Sequence, residues 1–278
     1  MTNNTTAHIA WSHSLKTCII LTPGLIALVI LLFHAPIPQD PAYHNFADQH
    51  TILGIPRFGD VITNLGFNLV GLLGLWFLWR KTDPNLFQNS KEQSAYTVFF
   101  LGLFLTGLGS AYYHLEPNSS RLFWDRLPVT LTFMSMLSIV ITERASPLLG
   151  IRLLLPLLLV GAGSVVYWHL GEQAGNGDLR FYGIVQFYPM LAIPLMLILF
   201  RSRYVYGAYF WGVIGWYALA KICELLDVQV LDLAGIISGH NLKHIFASIG
   251  AWCIVRMLKQ RGRLQSDSDT RSPICQSP

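Results

Sequence analysis

Residues 95–114 read AYTVFFLGLFLTGLGSAYYH. A helix of that length crosses the roughly 30 Å hydrocarbon layer of a bilayer, and the run contains no Lys, Arg, Asp or Glu. It predicts a membrane span, and the rest of the chain repeats the pattern. Apolar runs near 15–34, 61–80, 127–143, 150–170, 181–200, 207–225 and 239–258 give eight expected spans in all. The fold class expected is therefore all-α, a polytopic membrane helix bundle. Composition agrees. The chain is 53% hydrophobic and 12% charged, with a mean hydropathy of +0.45. A soluble domain carries about 25% charged residues.

Two of the runs are amphipathic. The 61–80 run contains Asn64 and Asn68, and the 239–258 run opens on two histidines. That pattern predicts helices lining an interior cavity. The first run is followed by HAPIPQDP, without a small-residue cleavage site, so it is read as a retained span. The polar tail from Leu264 is expected to be disordered. Cys18, Cys223, Cys253 and Cys275 lack the CxxC spacing of a zinc ribbon and do not form a disulfide framework.

Charge sets the expected orientation. Lys16, Arg80, Lys81, Lys91, Arg144, Arg152, Arg201, Arg203 and the basic residues from Arg256 to Arg271 fall on the side of the N-terminus. Arg57, Arg121, Arg126, Arg180 and Lys221 fall on the other. The positive-inside rule then places both termini in the cytoplasm. The net charge of +4 follows from this asymmetry and points to no nucleic-acid partner.

On that map, Ser110 and His114 end the third span, Asp125 precedes the fourth, and His240 and His244 open the eighth. All five fall at the same, extracytoplasmic end. Residues i and i+4 share a helix face, so His240 and His244 aim at one point. With His114 they supply three nitrogen ligands and leave a fourth position open, the arrangement of a catalytic zinc site. Zinc lowers the pKa of a bound water to about 7 and polarises a carbonyl. Asp125 is placed to act as general base, and Ser110 to donate to a developing oxyanion. Each residue also has a plain reading. HxxxH alone is a weak motif, His114 alone suits an interfacial cap, Ser110 suits close helix packing, and Asp125 suits the start of a helix with Pro128 in its first turn. Together they weigh more, because ionisable groups inside a membrane are costly.

The other polar residues carry lesser expectations. Asp60, Asn64 and Asn68, at i, i+4 and i+8, make one stripe that lines a cavity or supports the site from behind. Lys221 and Glu224 pair with each other. His169, Glu172, Asp178 and Arg180 form a solvated or lid-like loop. His34, His44 and His50, with Asp40 and Asp48, occupy the 35–60 loop. Trp76, Trp79, Trp168 and Trp211 read mostly as an interfacial belt.

The combination of GLGSAYYH, FWDRLPVTL and SGHNLKH resembles the alkaline ceramidase family. That family belongs to a superfamily of seven-helix membrane hydrolases that also includes adiponectin-receptor-like and GPI-lipid-remodelling proteins. Its pattern is Ser-x3-His late in one helix, an Asp eleven residues after the His, and His-x3-His in the last helix. These fall here on Ser110, His114, Asp125, His240 and His244, and RFGDVITNLGFN (57–68) is similar to the entry of the family's first helix. The resemblance implies a seven-helix hydrolase core over 57–258. An extra transmembrane helix and loop would make up 1–56, and a cytoplasmic tail 259–278. It implies a Zn2+-dependent amidase acting on a ceramide-like lipid in the bilayer. His114, His240 and His244 would bind zinc, Ser110 and Asp125 would serve catalysis, and no protein partner is implied. Eukaryotic members carry an acidic calcium-binding cluster before the first core helix. Here Arg57 stands close to an expected carboxylate, so calcium lacks a clear motif, with Asp40 and Asp48 as substitutes.

Other classes make different demands. The same metal constellation serves esterases of the superfamily. A serine protease would use Ser110 with a histidine base and leave the remaining residues idle. A haem carrier would use histidines from two helices. A receptor-like protein would keep a metal for stability alone.

Overall fold

The computed structural model describes residues 11–80 and 86–261. Within them the regular structure is helical, as the long apolar runs predict. The chain runs α1 (His13–Phe33), a 3-10 turn (Pro41–His44), α2 (Phe58–Ile62), α3 (Leu65–Arg80), α4 (Glu92–Leu115), α5 (Ser119–Val140) and a π turn (Ile141–Ala145). It continues through α6 (Pro147–Gln173), α7 (Arg180–Leu199), α8 (Tyr209–Leu225), α9 (Asp227–Ala234) and α10 (Gly239–Gln260). The predicted disorder of the tail from Leu264 concerns residues outside those described.

Among the described residues, six helical segments are long and apolar enough to cross a membrane: α1, α2 with α3, α4, α5 with the π turn, α6 and α7. The sequence predicts eight. The remaining two are α8, of 17 residues, and α10, of 22 residues, whose first turns carry His240, Asn241, Lys243 and His244. Rows of Leu, Ile, Val and Trp on the outer faces are exposed, as lipid-facing surfaces require. In α1 only Ile20 is buried.

Packing follows chain order. Helix α4 lies between α3 and α5, α5 packs on α6 and α7, α10 packs on α8 and α3, and α1 lies against α7. Small residues set the closest approaches. A Cβ at Gly109 would lie 2.0 Å from the Trp124 carbonyl oxygen, and one at Gly102 would lie 2.6 Å from Thr132 Oγ1. The close packing expected of Ser110 in GLGSAYY therefore belongs to Gly109 beside it.

Three expectations change. Asp125 does not start a helix: α5 begins at Ser119, capped by the Asn118 side chain, so Asp125 and Pro128 lie inside it. Residues 169–180 are not a free loop. His169 and Glu172 are in α6, and the Asp178–Arg180 pair holds the chain leaving α1, with Arg180 donating to the Leu31 and His34 carbonyls and Asp178 accepting from Ile37 N. Arg180 holds the Asp178 carboxyl below the usual carboxylate range. Trp168 is not in an interfacial belt but fully buried, its ring 4.3 Å from the Arg126 guanidinium, whereas Trp76, Trp79 and Trp211 are exposed.

At the far end of α4 from His114, Glu143 of the π turn pairs with Arg261 and accepts from Tyr96. Tyr204 lies under the same guanidinium at 4.0 Å and donates to Glu92 Oε2 at 2.6 Å. This buried network ties α4, α5 and the end of α10 together, and leaves the other end of the bundle for the histidines.

Candidate metal centre

The first turn of α10 is fixed before any histidine side chain is placed. Ser238 and Asn241 form a reciprocal capping box, and Asp227 Oδ1 accepts from His240 N at 2.7 Å. These bonds satisfy amide groups that a helix start otherwise leaves open. Asp227 Oδ2 accepts from Ala47 N at 2.9 Å, which pins the preceding loop to the same corner. A Cβ at Gly239 would lie 2.0 Å from the Cys223 carbonyl oxygen, so α10 starts hard against the end of α8.

From that start His240 and His244 project on one face, with ring centroids 4.7 Å apart. His114, in the last turn of α4, brings its ring to 4.8 Å from His240 and 5.2 Å from His244. All three are buried, and one nitrogen from each lies within 4.8 Å of the others. Three imidazoles converging this closely can hold one metal ion. Among the described residues no other cluster of His, Cys, Asp and Glu does so.

The ring orientations fit a metal. His244 Nδ1 is 3.0 Å from Thr63 Oγ1, while its Nε2 is buried without a hydrogen-bond partner. Asp60 Oδ2 faces His114 Nδ1 at 3.9 Å. That is too long for a hydrogen bond but places a carboxylate behind the ring, as metal-bound histidines commonly have. His240 Nε2 is 2.8 Å from Lys243 Nζ. If this nitrogen is the ligand atom, Lys243 must turn toward Glu224, 3.2 Å away. Asp60→Asn is expected to weaken metal binding about 10–100-fold while keeping the fold, because Asn can still accept from Asn241 as Asp60 Oδ1 does at 2.6 Å. Competition against a chelator of known affinity measures this, and unchanged affinity would remove the supporting role.

Ser110 is buried, and its hydroxyl is hydrogen-bonded to the Asp125 carboxylate. The two line a cavity of about 420 Å3 together with His244. Among the described hydrogen bonds Ser110 has no histidine partner, so a histidine-activated serine is not assembled. Most of the cavity wall is apolar: Phe99, Leu103, Met136, Ile193 and Phe210 among others. Its polar end carries Tyr43, Asp125, Lys221, Glu224 and Lys243. Burial pushes the Tyr43 phenol up to about 12, against the opposing pull of Arg126, so it stays a hydroxyl able to donate.

The polar stripe on the second span divides. Asp60 reaches the site, Asn64 Nδ2 bonds the Asp60 carbonyl at 2.7 Å, and Asn68 bonds the Phe104 carbonyl at 2.7 Å and ties α3 to α4. Lys221 and Glu224 pair as expected. The 35–60 loop is held by its own polar residues. Asp40 caps the 3-10 turn, His50 pairs with Asp48 at 2.8 Å, and His44 contacts Tyr113 Oη at 2.8 Å.

Several site residues escape sequence reasoning. Phe46 packs its ring 4.5 Å from both His114 and His240 and closes the site from the loop side. Asp227, Thr63 and Arg126 also contribute. Thr63 carried a signal, since it adjoins the Asp60–Asn64 stripe. Phe46 carried none, because a phenylalanine in a loop has no pattern to betray its contacts. No family model matches the chain.

Proposed function

We propose that the protein is an integral-membrane, zinc-dependent hydrolase that cleaves the amide bond of ceramide-like lipids with water, as the alkaline ceramidase resemblance implies. The observation that carries this reading is the buried triad of His114, His240 and His244, of which His244 lines a largely apolar cavity together with the Ser110–Asp125 pair. A donor set of three buried imidazole nitrogens suits zinc better than calcium or magnesium, which prefer oxygen. Bound there, zinc supplies Lewis acidity and lowers the pKa of water.

The chain's own residues do the rest. The apolar wall takes the acyl chain and brings the amide to the histidine end. Asp125 takes a proton from the attacking water. The water oxygen joins the acyl carbon, the carbon–nitrogen bond breaks, and the amine leaves with the proton returned through Asp125. Ser110 donates to Asp125 at rest and holds that carboxylate in place. To donate to a developing oxyanion its hydroxyl must rotate, which a serine rotor does readily. Phe46 and the buried histidine rings exclude bulk water from this end. The charge asymmetry of the loops supports a reading with both termini in the cytoplasm and this end nearer the extracytoplasmic face.

The test is hydrolysis of a ceramide by purified protein in lipid nanodiscs, before and after a membrane-permeant chelator. Loss of fatty-acid release on chelation and its return with added zinc are expected. Release that persists without metal, or ester cleavage alone, would overturn the amidase reading.

A further inference from the structure

The cavity beside His244 has a definite depth. On α4 its lining runs from Ser110 to Phe99, and on α5 from Asp125 to Met136, eleven residues in each case. At 1.5 Å per residue each stretch is about 16 Å long. Two neighbouring helices of opposite direction therefore give the same depth. Phe210, in the first turn of α8, lines the same far end. Phe99, Met136 and Phe210 are only 3%, 5% and 1% exposed. One turn further on, Tyr96 of α4 and Val140 of α5 are buried and belong to one packed core with all three. The cavity thus ends on close-packed side chains. Volume gives a second measure. The cavity holds about 420 Å3. That is room for about fourteen groups of about 30 Å3, the share of a water molecule and close to that of a methylene.

An extended hydrocarbon advances about 1.3 Å per carbon, the projection of a C–C bond of about 1.5 Å. A depth of about 16 Å then takes about twelve carbons. Part of the volume belongs to the polar end, so length and volume agree. We propose that Phe99, Met136 and Phe210 form a floor that limits the acyl chain of the substrate to about twelve carbons. This rests on the hydrolase reading and names the acyl part of its substrate: N-acyl lipids of medium chain length, with chains of sixteen or more carbons disfavoured. The physics sets the shape of the preference. Bilayer tails solvate methylene groups as well as an apolar wall does, so chains that stop short of the floor gain little from each added carbon. A chain that is too long must displace close-packed rings or leave its carbonyl short of Ser110 and Asp125. The preference is therefore a plateau followed by a fall.

The experiment uses four probes with one headgroup: N-octanoyl-, N-lauroyl-, N-palmitoyl- and N-stearoyl-sphingosine. Occupancy of the full chain by an equimolar mixture is read by native mass spectrometry, and fatty-acid release is measured separately in nanodiscs. Octanoyl and lauroyl probes are expected to be taken up about equally, and palmitoyl and stearoyl probes about tenfold less or worse, the size of an overpacking effect. Phe210→Ala removes a ring from the floor and should raise the palmitoyl-to-lauroyl ratio about tenfold. Ala251 lines the cavity about two turns from His244, so Ala251→Phe should raise a floor there and lower the lauroyl-to-octanoyl ratio by a similar factor. The two substitutions lie on different helices and move the limit in opposite directions, which guards against one failing to fold. Equal occupancy by all four probes, or a limit that neither substitution moves, overturns the proposal. A length limit in occupancy without release of fatty acid would instead overturn the hydrolase reading and leave the acyl site standing.

Discussion

Asp125→Asn is expected to retain fold and metal and to lose about 10²–10⁴-fold in amide hydrolysis, the range that one positioned general base contributes. The substitution is nearly isosteric. An amide still accepts the Ser110 hydrogen bond, so the contact that holds α4 to α5 at this point survives. What it lacks is basicity. Asp125 is not one of the three clustered ligands, which makes it the residue that best separates catalysis from metal binding. Parallel measurement of metal content and fatty-acid release decides the matter. Full activity would end the general-base role, and loss of metal would make Asp125 a ligand instead.

The second large effect is steric. Gly109→Val is expected to destabilise the protein by at least about 3 kcal/mol, beyond the usual range for overpacked sites. The first atom added would meet the Trp124 carbonyl oxygen at 2.0 Å, and a backbone atom inside a helix cannot turn aside as a side chain can. The α4–α5 contact must open, which also parts Ser110 from Asp125. A large drop in thermal unfolding temperature in detergent, with hydrolysis lost, is the expected result. Unchanged stability would mean that α4 and α5 are further apart than the structure places them.

Helix positions were legible from hydropathy because a membrane admits few alternatives to continuous apolar helices. The runs at 95–114, 150–170 and 181–200 correspond closely to α4, α6 and α7. The start of α5 was missed because Ser119–Arg126 is polar, although Asn118 is an ordinary capping residue. The break between α2 and α3 at Thr63–Asn64 also left no hydropathy signal. In the site, His240 and His244 were readable from spacing on one helix. Their meeting with His114 rested on common depth and on the family resemblance, and the structure brings the three together. What sequence could not supply was anything depending on the course of the 35–60 loop: Phe46 over the histidines, Ala47 on Asp227, and Gln39 on Arg126. Arg180 and Asp178 illustrate the same limit. Their partners are carbonyl and amide groups about 140 residues away, and backbone groups carry no sequence signature.

The most direct test of the central claim is metal analysis of the purified protein and of His244→Ala prepared alongside it. His244 is the best choice because its free nitrogen is buried and has no other partner. About one zinc per chain in the parent protein and near none in the variant is the result predicted for a three-histidine site. Iron, no metal, or zinc that remains in the variant would contradict it.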